Sequence, residues 1–203
     1  MLATYANHCP NVDVSLRTGT TDELIRDVLE YRLDAAFVSG PVDAAELQQR
    51  TVFEEELVLV SARNSDDPAD TLLRHLADDP LPVIGASSMP RLLVFRNGCS
   101  YRNRLIELAG TKLISTIPII EFGSLEGILG CVAAGMGVTL LPAAVVHQSV
   151  IRERLRIHSL PKELGRAETL FIRRSDSPLG PAMRRFNETL DLIAERSDLR
   201  SAS

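Results

Sequence analysis

Tryptophan is absent from this 203-residue chain, and aromatic residues make up only 4% of it. A core must therefore be built from Leu, Ile, Val and Ala. Cysteine is scarce as well. Cys9, Cys99 and Cys131 are odd in number and form no Cys-x-x-Cys pair, which excludes both a disulfide framework and a zinc site. His8, His75, His147 and His158 show no metal-ligand spacing and no link to a nucleophile. No Ser-His-Asp order stands out, no acid–base constellation can be assembled, and Gly-x-Gly-x-x-Gly is missing, so neither an enzyme nor a nucleotide binder is expected. No cofactor is implied.

Positive charge is also short. A net charge of −5 argues against a free-standing nucleic-acid binder, which needs a basic surface to displace counterions from phosphates. The densest basic group, Arg152, Arg154 and Arg156, alternates with Glu153 and apolar residues and reads as a solvated helix end or strand face. No long uninterrupted apolar run exists. The best candidate, Cys131–Val146, is broken by Gly135, Gly137 and Pro142, so no membrane span is expected. The opening residues Met1–Cys9 lack the charged region of a signal peptide, and a cytoplasmic protein is expected.

What is present is alternation. Val12–Arg17 alternates apolar and polar residues as a strand does, and Leu24, Ile25, Val28 and Leu29 then form a helical stripe. Thr20 and Glu23 have the spacing of a capping box. Strands are expected at Leu33–Val38, Leu57–Ser61, Leu92–Phe95, Ile117–Phe122, Val138–Leu141 and Glu168–Arg173. Helices are expected at Tyr101–Ala109, Leu125–Ala134 and Pro181–Arg196, with Arg196–Ser203 a polar tail. Asp78–Arg91, crowded with Pro80, Pro82, Gly85 and Pro90, reads as a loop with a short strand at Leu81–Ile84. Strands alternating with helices predict an α/β fold with mostly parallel sheets.

Several segments, in order, resemble the effector-binding domain of LysR-type transcriptional regulators. They are Cys9-Pro10, Val12–Leu16, Thr18-Gly19-Thr20, Glu23-Leu24, Arg32–Ala36, Ser39-Gly40 and the crossing strand Glu56–Val60. The turn Phe95-Arg96-Asn97-Gly98-Cys99-Ser100-Tyr101-Arg102 is the most specific match, and Val132–Pro142 is the last. The resemblance implies two Rossmann-like subdomains of periplasmic-binding-protein type with a ligand cleft between them. Residues 1–59 and 161–203 would form subdomain I, and residues 60–160 subdomain II. The winged helix-turn-helix of the family has no counterpart here, nor has the first strand of the first subdomain. That missing strand would sit inside the sheet, so another segment or a partner chain is expected to fill its slot.

In open α/β sheets, ligands bind beyond the carboxyl ends of strands, where helix starts present free N–H groups. Three turns qualify: Thr18–Thr21, Gly98–Tyr101 and Gly123–Leu125. The candidate ligand contacts are Thr18, Thr20, Cys99, Ser100, Tyr101, Gly123 and Ser124, with Ser39 and Thr139 at strand ends. Ser and Thr are also ordinary helix caps, so capping competes with ligand contact at Thr20 and Ser124. Cys99 at a helix start could carry a lowered pKa and sense oxidants, whereas Cys131 falls on an apolar helix where burial is the default. The expected ligand is a small carboxylate or other small anion. The expected role is effector sensing in a homodimer, with DNA contacted only through a domain absent from this chain. A periplasmic-type solute-binding protein is the alternative.

Overall fold

In the computed structural model the described residues are 2–63, 69, 72–73, 91–114 and 117–201, with backbone alone for 111–114 and 193–201. The expected loop at Asp78–Arg91 and its strand at Leu81–Ile84 lie outside the described residues, apart from Arg91. The chain divides into two compact units. One comprises Met1–Gly19, Glu23–Glu54 and Glu168–Ser203; the other comprises Thr20–Asp22 and Glu55–Ala167.

In the first unit, helix α1 (Leu2–His8) packs on the C-terminal helix α6 (Pro181–Ser201). Tyr5 meets Phe186 edge-to-face at 5.1 Å and donates its hydroxyl proton to the Ala182 carbonyl at 2.9 Å. Helix α6 runs on into the polar tail, to Ser201. Helix α2 (Thr21–Leu29) buries Val28 against β1 (Ala36–Ser39) and β7 (Arg166–Arg174) in a cluster with Val38, Leu170 and Ile172. Its end is a Schellman turn: Arg32 N donates to Asp27 O at 2.8 Å and Tyr31 N to Val28 O at 3.2 Å. Tyr31 sits at the left-handed position of that turn (φ 59), where glycine is the usual occupant. Arg174 compensates there. Its guanidinium stacks 4.3 Å from the Tyr31 ring, donates to the Leu29 carbonyl at 2.8 Å and holds Asp176 with two bonds of 2.7 and 2.6 Å.

β1 pairs antiparallel with β7, Ala36 opposite Ile172 and Ser39 opposite Thr169. The expected strand at Val12–Arg17 does not form: the segment enters no ladder among the described residues, and Val14 and Leu16 are exposed. Alternation alone cannot make a strand without a neighbour to take its backbone groups.

In the second unit, the 16-residue strand β2 (Leu47–Ala62), whose first half belongs to the other unit, pairs antiparallel with β5 (Thr139–Pro142) and β6 (Leu155–Ser159). β3 (Leu92–Phe95) and β4 (Ile119–Phe122) pair in parallel, and Leu92 bridges Val138. Helices α3 (Ser100–Ile114, broken at Gly110), α4 (Leu125–Ala133) and α5 (Ala143–His147) complete it. Gly137 lies so close to the chain before β3 that a Cβ would come within 2.2 Å of the Arg91 carbonyl oxygen.

The expectation of mostly parallel sheets is thus corrected. β1 with β7, and β2 with both β5 and β6, form antiparallel ladders. The basic group resolves into a 3₁₀ turn at Arg152–Arg154 and the exposed Arg156 of β6.

Candidate functional site

β3 ends at Phe95, and the chain turns through Asn97 and Gly98 before α3 begins at Ser100. Gly98 adopts φ 87, a left-handed conformation that favours glycine. Space demands glycine too, since a Cβ would lie 2.8 Å from Thr20 Oγ1 and 3.2 Å from Asp22 Oδ2. The Asp22 amide donates to the Gly98 carbonyl at 3.4 Å, stitching the start of α2 to the start of α3. Residues some eighty positions apart thereby meet within one unit: Thr20 and Asp22 on one side, Gly98, Cys99, Ser100 and Tyr101 on the other.

Asn103 N is bonded to Cys99 O at 3.2 Å, closing the first turn of α3. The amides of Ser100, Tyr101 and Arg102 precede that closure, have no intrahelical acceptor and carry the positive end of the helix dipole. Tyr101 donates its hydroxyl proton to Glu55 Oε2 at 2.7 Å. Burial, then that carboxylate, push the phenol far above its usual range. Its oxygen can accept from a ligand, but its proton is committed. Arg102 is engaged as well, donating to the Phe95 carbonyl at 3.1 Å and to Glu121 Oε2 at 2.7 Å.

The remaining sequence candidates behave differently. Ser124 caps α4, its Oγ accepting from Gly127 N at 3.1 Å, while Gly123 beside it is exposed with open space where a side chain would begin. Thr139 is buried at the start of β5, opposite Val60. Thr18 is exposed and groups with the first unit. Ser39 ends β1 ahead of the cis Gly40–Pro41 bond, and its buried Oγ has no hydrogen-bond partner among the described residues. Cys9, Cys99 and Cys131 are half-buried free thiols. Asp22, Glu55 and Glu121 were missed by sequence reasoning. Glu55 sits in the run Glu54-Glu55-Glu56 with nothing local to single it out, while Glu121 lies within β4 and its partner Arg102 in the first turn of α3.

A two-unit α/β chain whose helix starts meet over a glycine turn has the form of a regulatory ligand-binding domain. Residues 1–192 match the family described as LysR substrate binding domain. The chain belongs to that family. It is 38% identical over 186 residues to the HTH-type transcriptional regulator GltR of Bacillus subtilis, covering 92% of this chain and 58% of that protein. The chain therefore spans about three fifths of the curated relatives it matches. Among solved structures, the Synechocystis PCC6803 CcmR regulatory domain in complex with 2-PG superposes with TM-score 0.74 at 18% identity, covering 95% of this chain and 88% of that one. A sulfate-bound OxyR2 regulatory domain variant from Vibrio vulnificus gives TM-score 0.67 at 18% identity, with 96% and 86% covered. No helix among the described residues is long and apolar enough to cross a membrane.

Proposed function

We propose that the chain is the effector-sensing regulatory domain of a LysR-type transcriptional regulator, and that it binds a small carboxylate or similar anion at the start of α3. The observation that carries this reading is the locus where Thr20 Oγ1 closes against Gly98 beside the amides of Ser100 and Tyr101, which have no backbone acceptor among the described residues. Those amides supply donors and partial positive charge at the helix start. The family match and the regulator relatives support the regulatory role, and the sulfate carried by one structural neighbour fits the anion chemistry.

In this reading the effector favours one of two conformations and so biases subunit arrangement. The protein works as a cytoplasmic homodimer, and parts of the full-length relatives that this chain does not match contact DNA. The net charge of −5 agrees with a sensing rather than a DNA-gripping role. A thermal-shift screen with small carboxylates, amino acids and sulfate tests the proposal. Stabilisation by anions, weakened in Ser100→Ala and in Thr20→Val, is expected. Stabilisation only by large apolar or cationic compounds would overturn it.

A further inference from the structure

Arg102 ends the segment Phe95–Arg102, the most specific match in the sequence to the family. It is the third residue of α3, where a cation works against the positive end of the helix dipole. Its side chain is nevertheless only 18% exposed and is held at two points. Nη1 donates to the Phe95 carbonyl at 3.1 Å and to Glu121 Oε2 at 2.7 Å. Phe95 is the last residue of β3 and Arg102 stands just past the turn, so the first bond closes that turn across its base. Glu121 lies on β4, opposite Val94 in the parallel ladder, so the second bond fixes the same guanidinium to the neighbouring strand. Within the turn, Cys99 N is bonded to Arg96 O at 3.3 Å, and Asp22 N reaches Gly98 O from α2 at 3.4 Å. Those backbone contacts are long, whereas the Arg102 bonds are charge-assisted and of a stronger class. All of these residues belong to the second unit.

We propose that Arg102 is a positioning residue. It clamps the end of β3 to the start of α3 and so sets where the Ser100 and Tyr101 amides stand, and anion affinity depends on its pairing with Glu121. The proposal rests on the site reading above. Charge and position predict opposite outcomes at Glu121. Were charge alone at work, removing this carboxylate would strip a repulsion and tighten anion binding. Under the clamp, the same change releases Arg102, loosens the turn and weakens binding. Glu121 is 51% exposed and belongs to no apolar cluster, so truncating it spares the core.

The test uses the whole chain, with NMR titration by inorganic sulfate and amide hydrogen exchange on wild type, Glu121→Ala, Arg102→Ala and Arg102→Lys. Glu121→Ala should weaken sulfate binding at the Ser100 and Tyr101 amides about threefold or more, because a pre-formed site has lost its support. Exchange at the bonded amides of Cys99 and Asn103 should speed about tenfold as the turn opens locally, while Ile128 in α4 keeps its wild-type rate. Arg102→Ala should show both changes. Arg102→Lys should recover only part of the loss, since it supplies a point charge in place of a planar fork. Tighter or unchanged sulfate binding in Glu121→Ala overturns the positioning role. Lost binding in Arg102→Ala without faster exchange overturns it too, by making Arg102 a direct contact. Should Arg102→Ala fail to fold, Glu121→Ala and Arg102→Lys decide the matter. Wild-type Ser100 and Tyr101 amides that ignore sulfate would remove the site reading and the positioning role with it. Exchange in Glu121→Ala would then still uphold or overturn the clamp.

Discussion

The two units are held together by different means. Among the described residues the second has two apolar clusters, thirteen buried residues around Leu57, Leu92 and Leu140 and ten around Val58, Leu93 and Ile128. Among the described residues the first has clusters of six and three, around Val28 with Ile172 and around Phe171 with Leu190. It makes up the difference with aromatic contacts and polar pins. Phe37, Phe171 and Phe186 gather with centroids 5.2 to 6.2 Å apart, and charged groups lock both the approach to α2 and its end. An apolar core is indifferent to pH and nearly so to salt, whereas pins of this kind depend on ionisation. The units should therefore fail under different stresses.

The largest effect belongs to the apolar unit. Leu140→Ala truncates a 1%-exposed side chain in its main cluster and should cost about 3 kcal/mol, read by urea denaturation. A cost near that of a surface change would break the contrast.

Acid should reverse the order of failure. The Arg32 guanidinium, with Arg17 adding to it, holds the Asp27 carboxyl below its ordinary 3.8, and the Arg174 bonds hold Asp176 at about 2. Both are lowered in the folded state, so their stabilisation is complete above the ordinary carboxylate value. It is lost as pH falls through the lowered values, down to about 2 for Asp176. NMR signals of the first unit should disappear ahead of those of the second as pH drops below 4, and the reverse order would refute the comparison. The smallest effect sharpens it. Tyr5→Phe deletes the bond to the first turn of α6 without touching the ring stack and should cost about 1 kcal/mol by thermal denaturation.

Legibility in the sequence followed the same division. The second unit's Leu57–Ser61, Leu92–Phe95 and Val138–Leu141 are mostly apolar runs, and each lies in or overlaps a strand within a residue or so. β2 nevertheless reaches back to Leu47 through Gln48, Gln49 and Arg50, which show no strand pattern because that half is largely exposed and is sustained by its neighbour β7. β6, with Arg156 and His158, was invisible for the same reason. Val12–Arg17 erred the other way, having the right pattern and no partner. Pairing is a long-range property that alternation cannot encode. The site divides likewise: the helix starts at Thr21, Ser100 and Leu125 were readable from caps and glycines. The meeting of Thr20 with Gly98, and of Tyr101 with Glu55, is set by tertiary packing alone.

Position 137 shows how strictly such packing can dictate identity. The Arg91 carbonyl occupies the volume in which any side chain would have to start, and the same stretch of backbone seats Val138 against Leu92. A library randomised at this codon and selected for folded protein should return glycine alone, whatever small molecule is supplied. The rigidity of that seam sets a floor beneath every attempt to retune the domain for a new effector.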